Sequence, residues 1–209
     1  MNILRLLIFY LIALGIGAIF IWLKVPTNFS VAFFTILAVA IIGYYAFIMT
    51  SSKNTKAILR QARYQKSNPT YAYAFAIKDG TKEDEIEALD RLIKKYKNQP
   101  DGLSDYQFKR AVRLGDLASA GEIVNSMKNG PLKTYNMAYF EALLGKYGKA
   151  RNHPFLQSWM SHSIEAVIAK KQHKLDRYKE EMQQAIEQSK GIQRLMNQVT
   201  YEKTLKEWK

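Results

Sequence analysis

The chain begins with two long apolar segments. Arg5, in the first of them, is the only charged residue that they contain. They run over residues 3–23 and 29–49, and a short link at 24–28 joins them. A helix of either length rises about 30 Å, which matches the hydrocarbon thickness of a bilayer. Neither segment has a polar face that meets water, and no small-residue cleavage site of a signal peptide follows the first. The pattern predicts a transmembrane hairpin over residues 1–50, with Ala13 and Gly17 on a face that allows close helix packing.

Basic residues around the two segments predict their orientation. The link carries only Lys24, whereas Arg5 and a group of basic residues that follows the second segment lie on the other side of the membrane. That group is Lys53, Lys56, Arg60, Arg63 and Lys66, with no acidic residue among them. Because positively charged flanks stay in the cytoplasm, we expect a multi-pass protein of the cell inner (plasma) membrane with both termini cytoplasmic.

The same group of basic residues suggests a contact with anionic lipid. Residues 51–68 are predicted to form a juxtamembrane helix, and spacings of three, four and three place the first four of its basic residues on one stripe. Directly below a membrane, each such cation contributes about 1 kcal/mol of attraction to anionic lipid. A flank that only sets the topology explains the same residues, and both interpretations remain open at this point.

Beyond position 68, apolar residues recur every three or four positions, which is the pattern of amphipathic helices. Thr81 is suited to begin one of these helices, and the acidic residues at 83–85 are expected in solvent at its first turn. No stretch alternates with the two-residue period of a strand. We therefore predict an all-α fold, in which a cytosolic α-helical domain over residues 69–209 follows the membrane hairpin and stacks its helices as antiparallel pairs.

Composition and motifs argue against catalysis. The formal net charge is +13, and nearly all charged residues lie beyond position 50, so the cytosolic part favours anionic partners. The chain has no cysteine, which excludes disulfides and thiolate chemistry. The histidines do not follow a metal-binding spacing, and neither a phosphate-binding glycine loop nor a buried pair of carboxylates is evident. We predict no catalytic, cofactor or metal site, and no enzymatic activity.

Two stretches of the domain repeat each other at an interval of 30 residues. Residues 114–120 read Leu-Gly-Asp-Leu-Ala-Ser-Ala, and residues 144–150 read Leu-Gly-Lys-Tyr-Gly-Lys-Ala. We interpret them as elbows between antiparallel helices, in which glycine allows the turn, an apolar residue plugs it and alanine lets the helices approach. The elbow residues are Gly115, Leu117, Ala120, Gly145, Tyr147 and Ala150. Residues 175–178 are a candidate for a third, degenerate elbow.

These elbows resemble the inter-helix turn of tetratricopeptide-like repeats, over residues 101–190 at most. The sequence departs from that family in its interval, since the usual repeat has about 34 residues, and it lacks the Trp-Leu-Gly-Tyr pattern of the first helix. Pro154 also interrupts the second unit, and we place it at the start of the next helix. The resemblance implies a concave surface that binds proteins or peptides, without catalysis. An irregular helical bundle is the alternative.

These observations together favour a membrane-anchored interaction module. We expect an adaptor that recruits or stabilises a protein partner of unknown identity at a bacterial inner membrane, and by analogy of architecture it would assist envelope, division or secretion machinery. The alternative is a binder of anionic lipid or nucleic acid through the basic domain, with nucleic acid the less favoured of the two. The sequence does not identify the partner-binding residues.

Overall fold

The computed structural model describes residues 3–208, without the side chains of residues 3–6 and 9. Over that range the chain forms helices and no strand, which confirms the all-α prediction. The helices are α1 (Ile3–Trp22), α2 (Thr27–Thr50), α3 (Thr55–Tyr64), α4 (Pro69–Asp79), α5 (Lys82–Lys95), α6 (Pro100–Leu114), α7 (Leu117–Ser126), α8 (Pro131–Leu143), α9 (Tyr147–Arg151), α10 (Ser158–Lys171), α11 (Leu175–Gln188) and α12 (Gly191–Glu207). The charge of Arg5 and the C-terminal Lys209 lie outside the described residues.

The membrane prediction is supported in part, since one helix is a candidate span by its length and composition. Of the described residues, α2 alone is long and apolar enough to cross a bilayer, with a mean hydropathy of 2.3 and 6% of its apolar window buried. The described apolar part of α1 runs over Tyr10–Trp22 and is shorter than a span. The ring of Phe20 lies 5.2 Å from that of Phe33, so the two helices meet near the link. The close packing expected at Gly17 is absent, because a Cβ built there meets no described atom within 4 Å.

Helices α4 to α12 form a closed series of neighbours. Each helix packs on its successor, and α12 returns to pack against α3 and α4. Local chemistry explains several boundaries: Pro69, Pro100 and Pro131 occupy the first turns of their helices. The predicted cap at Thr81 is confirmed as a reciprocal capping box with Asp84. An open superhelix of repeats leaves its two ends apart, whereas here the last helix covers the first ones.

The predicted elbows lie at turns that share one hydrogen-bond pattern. Gly115 (φ +86) and Gly145 (φ +78) have left-handed backbones. In each turn the glycine N–H bonds the carbonyl three residues back, and the next N–H bonds the carbonyl five back. This is the Schellman closure of a helix. Ala120 and Ala150 are fully buried behind these turns.

A third turn of the same kind follows α10. His173 takes the glycine position with φ +54, and its N–H and that of Lys174 repeat the two hydrogen bonds, at 3.1 and 2.9 Å. Leu175 then lies two positions beyond, as Leu117 and Tyr147 do in the other turns. We call these three turns, at residues 115–116, 145–146 and 173–174, the elbow edge of the domain.

Three local predictions are wrong. The juxtamembrane helix does not cover 51–68 but only Thr55–Tyr64, because Asn54 caps it and the chain turns before Pro69. Leu117 does not plug its elbow, since 36% of its surface is exposed, whereas Tyr147 does pack against the core around Ala150 and Ile164. Pro154 does not begin a helix, because the chain stays irregular until α10 starts at Ser158.

Candidate functional site

The end of α2 docks on the start of α12, and this contact ties the apolar helix to the rest of the fold. Ile48 is buried in a core with Ile58, Leu195 and Val199. The N–H of Gly191 donates a 2.8 Å hydrogen bond to the carbonyl of Ser52. Gly191 has φ +54, and a Cβ there would overlap the carbonyl of Met49. Only glycine therefore allows the two backbones to approach this closely.

Polar side chains of α12 hold the surrounding helix ends together. The Nε of Arg194 donates to Thr55 Oγ1 at 3.1 Å, and its Nη1 donates to the carbonyls of Ile186 and Glu187 at the end of α11. One turn later, Nδ2 of the buried Asn197 donates to the carbonyl of Ala185 at 3.1 Å. We call this region, where the end of α2 meets the starts of α3 and α12 and the end of α11, the junction edge.

The basic residues predicted to contact lipid all lie in solvent beside this junction. Lys56, Arg60 and Arg63 line the outer side of α3, whose other side buries Ile58 and Ala62. The predicted stripe is thus helical only in its central part, since Lys53 precedes α3 and Lys66 follows it. The ammonium of Lys66 lies 5.2 Å from the ring centre of Phe75. We call Lys53, Lys56, Arg60, Arg63 and Lys66 the basic face.

A second group of polar residues lies at the centre of the closed series of helices. Glu85 in α5 is 5% exposed and pairs with Arg113 of α6 at 2.9 Å and with Lys203 of α12. The ammonium of Lys170 in α10 donates to Thr204 of α12 at 3.4 Å. The expectation that Glu85 lies in solvent is wrong, because the return of α12 covers it. We call Tyr73, Glu85, Arg113, Tyr139, Lys170 and Lys203 the central cluster.

The electrostatics of the central cluster favour an anion. Partial burial lowers the pKa of Lys170, and the nearby Arg113 and Lys203 lower it further, against the opposing charge of Glu207. Burial raises the pKa of Tyr73 well above its usual range and also raises the pKa of Tyr139, so both hydroxyls stay protonated and able to donate. An anionic group bound here would relieve the repulsion among the three cations.

Sequence reasoning missed the central cluster and the role of Gly191. The cluster residues come from six different helices, and only the closure of the series by α12 brings them together. Gly191 reads as an ordinary helix breaker, since the sequence does not show which backbone approaches it. Within the described part of the chain, no three histidine or carboxylate side chains lie close enough to hold a metal ion. His153 and His162 each contact one carboxylate, Glu141 and Glu181, at 2.8 Å.

Comparisons with known proteins give no relative for this fold. No protein-family model, no curated protein and no solved structure matches the chain. The junction edge, the basic face and the central cluster are therefore the features from which a function can be inferred.

Proposed function

We propose that the protein is a membrane-anchored adaptor, whose helical domain recruits or stabilises a protein partner at the cytoplasmic side of a bacterial inner membrane. In this proposal residues 3–23 and α2 both span the bilayer as a hairpin, and both termini are cytoplasmic. The docking of α2 on Gly191 carries the proposal, because it makes the domain a fixed extension of the apolar helix. A partner bound by the domain is then held at the membrane surface.

The accessible part of the central cluster, the exposed Lys170 with the half-buried Arg113, is the surface that we assign to the partner. The cluster's cations, Arg113, Lys170 and Lys203, come from three helices, and Glu85 pairs with only two of them. Protonated tyrosine hydroxyls add neutral donors beside these cations. This combination suits an acidic segment of a protein. The turns of the elbow edge support a tetratricopeptide-like origin of the hairpins, with the series closed by α12.

Site-specific photo-crosslinking in native membranes tests this assignment. A photo-reactive residue in place of Lys170 is expected to capture a protein, and the change Arg113→Gln should weaken the capture because it removes a neighbouring cation. A photo-reactive residue in place of Lys94, exposed on α5, is the control. Capture of the same protein with equal yield at both positions, or capture unaffected by Arg113→Gln, would contradict the assignment.

The basic face favours a second candidate function, the binding of anionic lipid. Its five cations are exposed, and α3 holds three of them on the side that faces away from the core. A fluorophore on Arg60→Cys, in the full chain reconstituted into nanodiscs, reports this contact. Anionic lipid should protect it from an aqueous quencher more than neutral lipid does, and high salt should remove the difference because it screens the charges. A fluorophore on Glu87→Cys of α5 is the control.

Nucleic acid is an alternative ligand for the same surface. A filter-binding measurement with single-stranded RNA and the reconstituted chain separates the two ligands. It reports RNA binding directly, whereas the protection of the fluorophore reports lipid binding and needs no RNA. Retention of RNA at physiological salt, together with equal quenching in both lipids, would favour nucleic acid over lipid.

A further inference from the structure

A cleft of about 650 Å³ opens at the junction edge, immediately beside the end of α2. The last residues of α2, Met49 and Thr50, form one wall, and the start of α10 with Trp159 forms another. The end of α11 and the start of α12 complete it. A membrane helix ends at the level of the lipid headgroups. The cleft therefore lies where the headgroup of a neighbouring lipid reaches the protein.

The apolar part of the lining faces this boundary. Met49, Trp159 and Ile192 contribute apolar surface to the cleft, and Leu156 belongs to its rim with 71% of its surface exposed. A leucine this exposed, next to the end of an apolar helix, is a residue that acyl chains cover in a bilayer. The apolar lining is thus continuous with the apolar surface of α2.

The polar part of the lining has one cation and several exposed neutral side chains. Lys190 is exposed and is the only charged residue among the described residues that line the cleft. The Nε2 of Gln188 donates to His162 at 3.1 Å and to Gln184 at 3.3 Å. Its Oε1 is buried and has no hydrogen-bond partner among the described residues. Because this Oε1 has no exposed surface, a ligand in the cleft does not reach it, and the exposed side chains of Thr50, Gln157 and Ser158 are the neutral polar groups that a ligand meets.

We propose that the cleft binds the headgroup of a membrane phospholipid that carries a phosphate and free hydroxyl groups. The phosphate pairs with Lys190, headgroup hydroxyls bond the exposed side chains of Gln157 and Ser158, and the first part of an acyl chain lies along Met49 and Leu156. A phosphate-and-polyol headgroup supplies both the anion and the hydroxyls, which a choline headgroup does not. This inference rests on the proposed membrane location of α2.

Native mass spectrometry of the full chain in detergent tests the site by lipid titration. The probes are phosphatidylglycerol, phosphatidic acid and phosphatidylcholine with identical acyl chains. Phosphatidylglycerol should bind most tightly, and Lys190→Gln should weaken it about fivefold, the factor for losing one cation beside an anionic lipid. Ser158→Phe, which fills the cleft from an exposed position, should also weaken it. Lys171→Gln, at the opposite end of α10, is the matched control.

The outcomes separate the lipid site from the membrane location. Equal affinity for the three lipids, or equal loss in Lys190→Gln and Lys171→Gln, would overturn the lipid site. Retention of the wild-type chain in alkali-washed membranes would then still support the proposed membrane anchor. Extraction of the chain by alkali would overturn both proposals, whichever lipid binds in detergent.

Discussion

The elbow edge and the junction edge both contain glycines with positive φ, and the surroundings of these glycines differ. A Cβ built on Gly115 or Gly145 meets no described atom within 4 Å, whereas one built on Gly191 meets the backbone of Met49 and Thr50. At the elbow edge, glycine is required only because the local backbone is left-handed. At the junction edge, it also allows a distant segment of the chain to approach. The left-handed backbone is a property of the turn itself, whereas the close approach of a second segment is a property of the tertiary structure.

The largest effect is expected at the junction edge. Gly191→Ala must both adopt a left-handed backbone and displace the end of α2, so we expect a loss of roughly 3–4 kcal/mol in the free energy of unfolding. Thermal unfolding of the detergent-purified full chain measures it. Gly148→Ala is the control, because Gly148 lies within α9 with open space around it. Equal melting temperatures for Gly191→Ala and the wild type would remove the distinction between the two edges.

A tertiary contact close to the elbow edge provides the next test. Glu85→Gln leaves Arg113 and Lys203 without their shared carboxylate, and we expect a loss of about 2–3 kcal/mol, reduced from the fully buried case because both cations keep some solvent contact. Glu83→Gln, an exposed acid in the same helical turn, should change stability far less. Chemical unfolding of the two variants under identical conditions makes the comparison, and similar losses would mean that Glu85 acts only on the helix dipole.

At the elbow glycines the expected loss is smaller. Gly115→Ala and Gly145→Ala should each cost about 1 kcal/mol, because alanine must take up a left-handed conformation without any steric clash. The fall in melting temperature measures it for each variant separately. A rise would indicate that alanine's better helix propensity dominates at that position and that the turn reorganises into a continuous helix.

At the third elbow we expect a substitution to stabilise the chain rather than destabilise it. His173→Gly should raise the free energy of unfolding by up to about 1 kcal/mol. Histidine is strained in the left-handed conformation at this position, and glycine is not. Lys174→Gly, one position later and with negative φ, should instead destabilise the chain. Unchanged or lower stability in His173→Gly would show that the histidine side chain makes a compensating contact.

The contrast between the edges also separates what the sequence predicted from what it did not. The breaks at Gly115 and Gly145, the cap at Thr81 and the helical pattern depend on neighbouring residues, and the sequence displays these directly. The third elbow was predicted at residues 175–178, but these belong to the first turn of α11 and the elbow lies at His173 and Lys174. Its position was missed because His173 has the backbone geometry of the elbow glycines without being a glycine. Glu85 is covered by α12, and Gly191, the first residue of α12, meets the end of α2, so both contacts join segments more than a hundred residues apart in the chain. No local pattern encodes such contacts.

The central claim is that α2 crosses the membrane while its end remains docked on the helical domain. The chain has no cysteine, so a Thr50→Cys and Gln193→Cys pair, which lines the cleft from α2 and α12, supplies the only thiols. In alkali-washed membranes, a short bismaleimide should crosslink this pair within one chain in high yield. The pair Thr50→Cys and Lys171→Cys should not react, because Lys171 lies about 20 Å along α10 from Ser158, the residue at which that helix lines the cleft. Equal yields for the two pairs, or loss of the protein from the alkali-washed membranes, would contradict the claim.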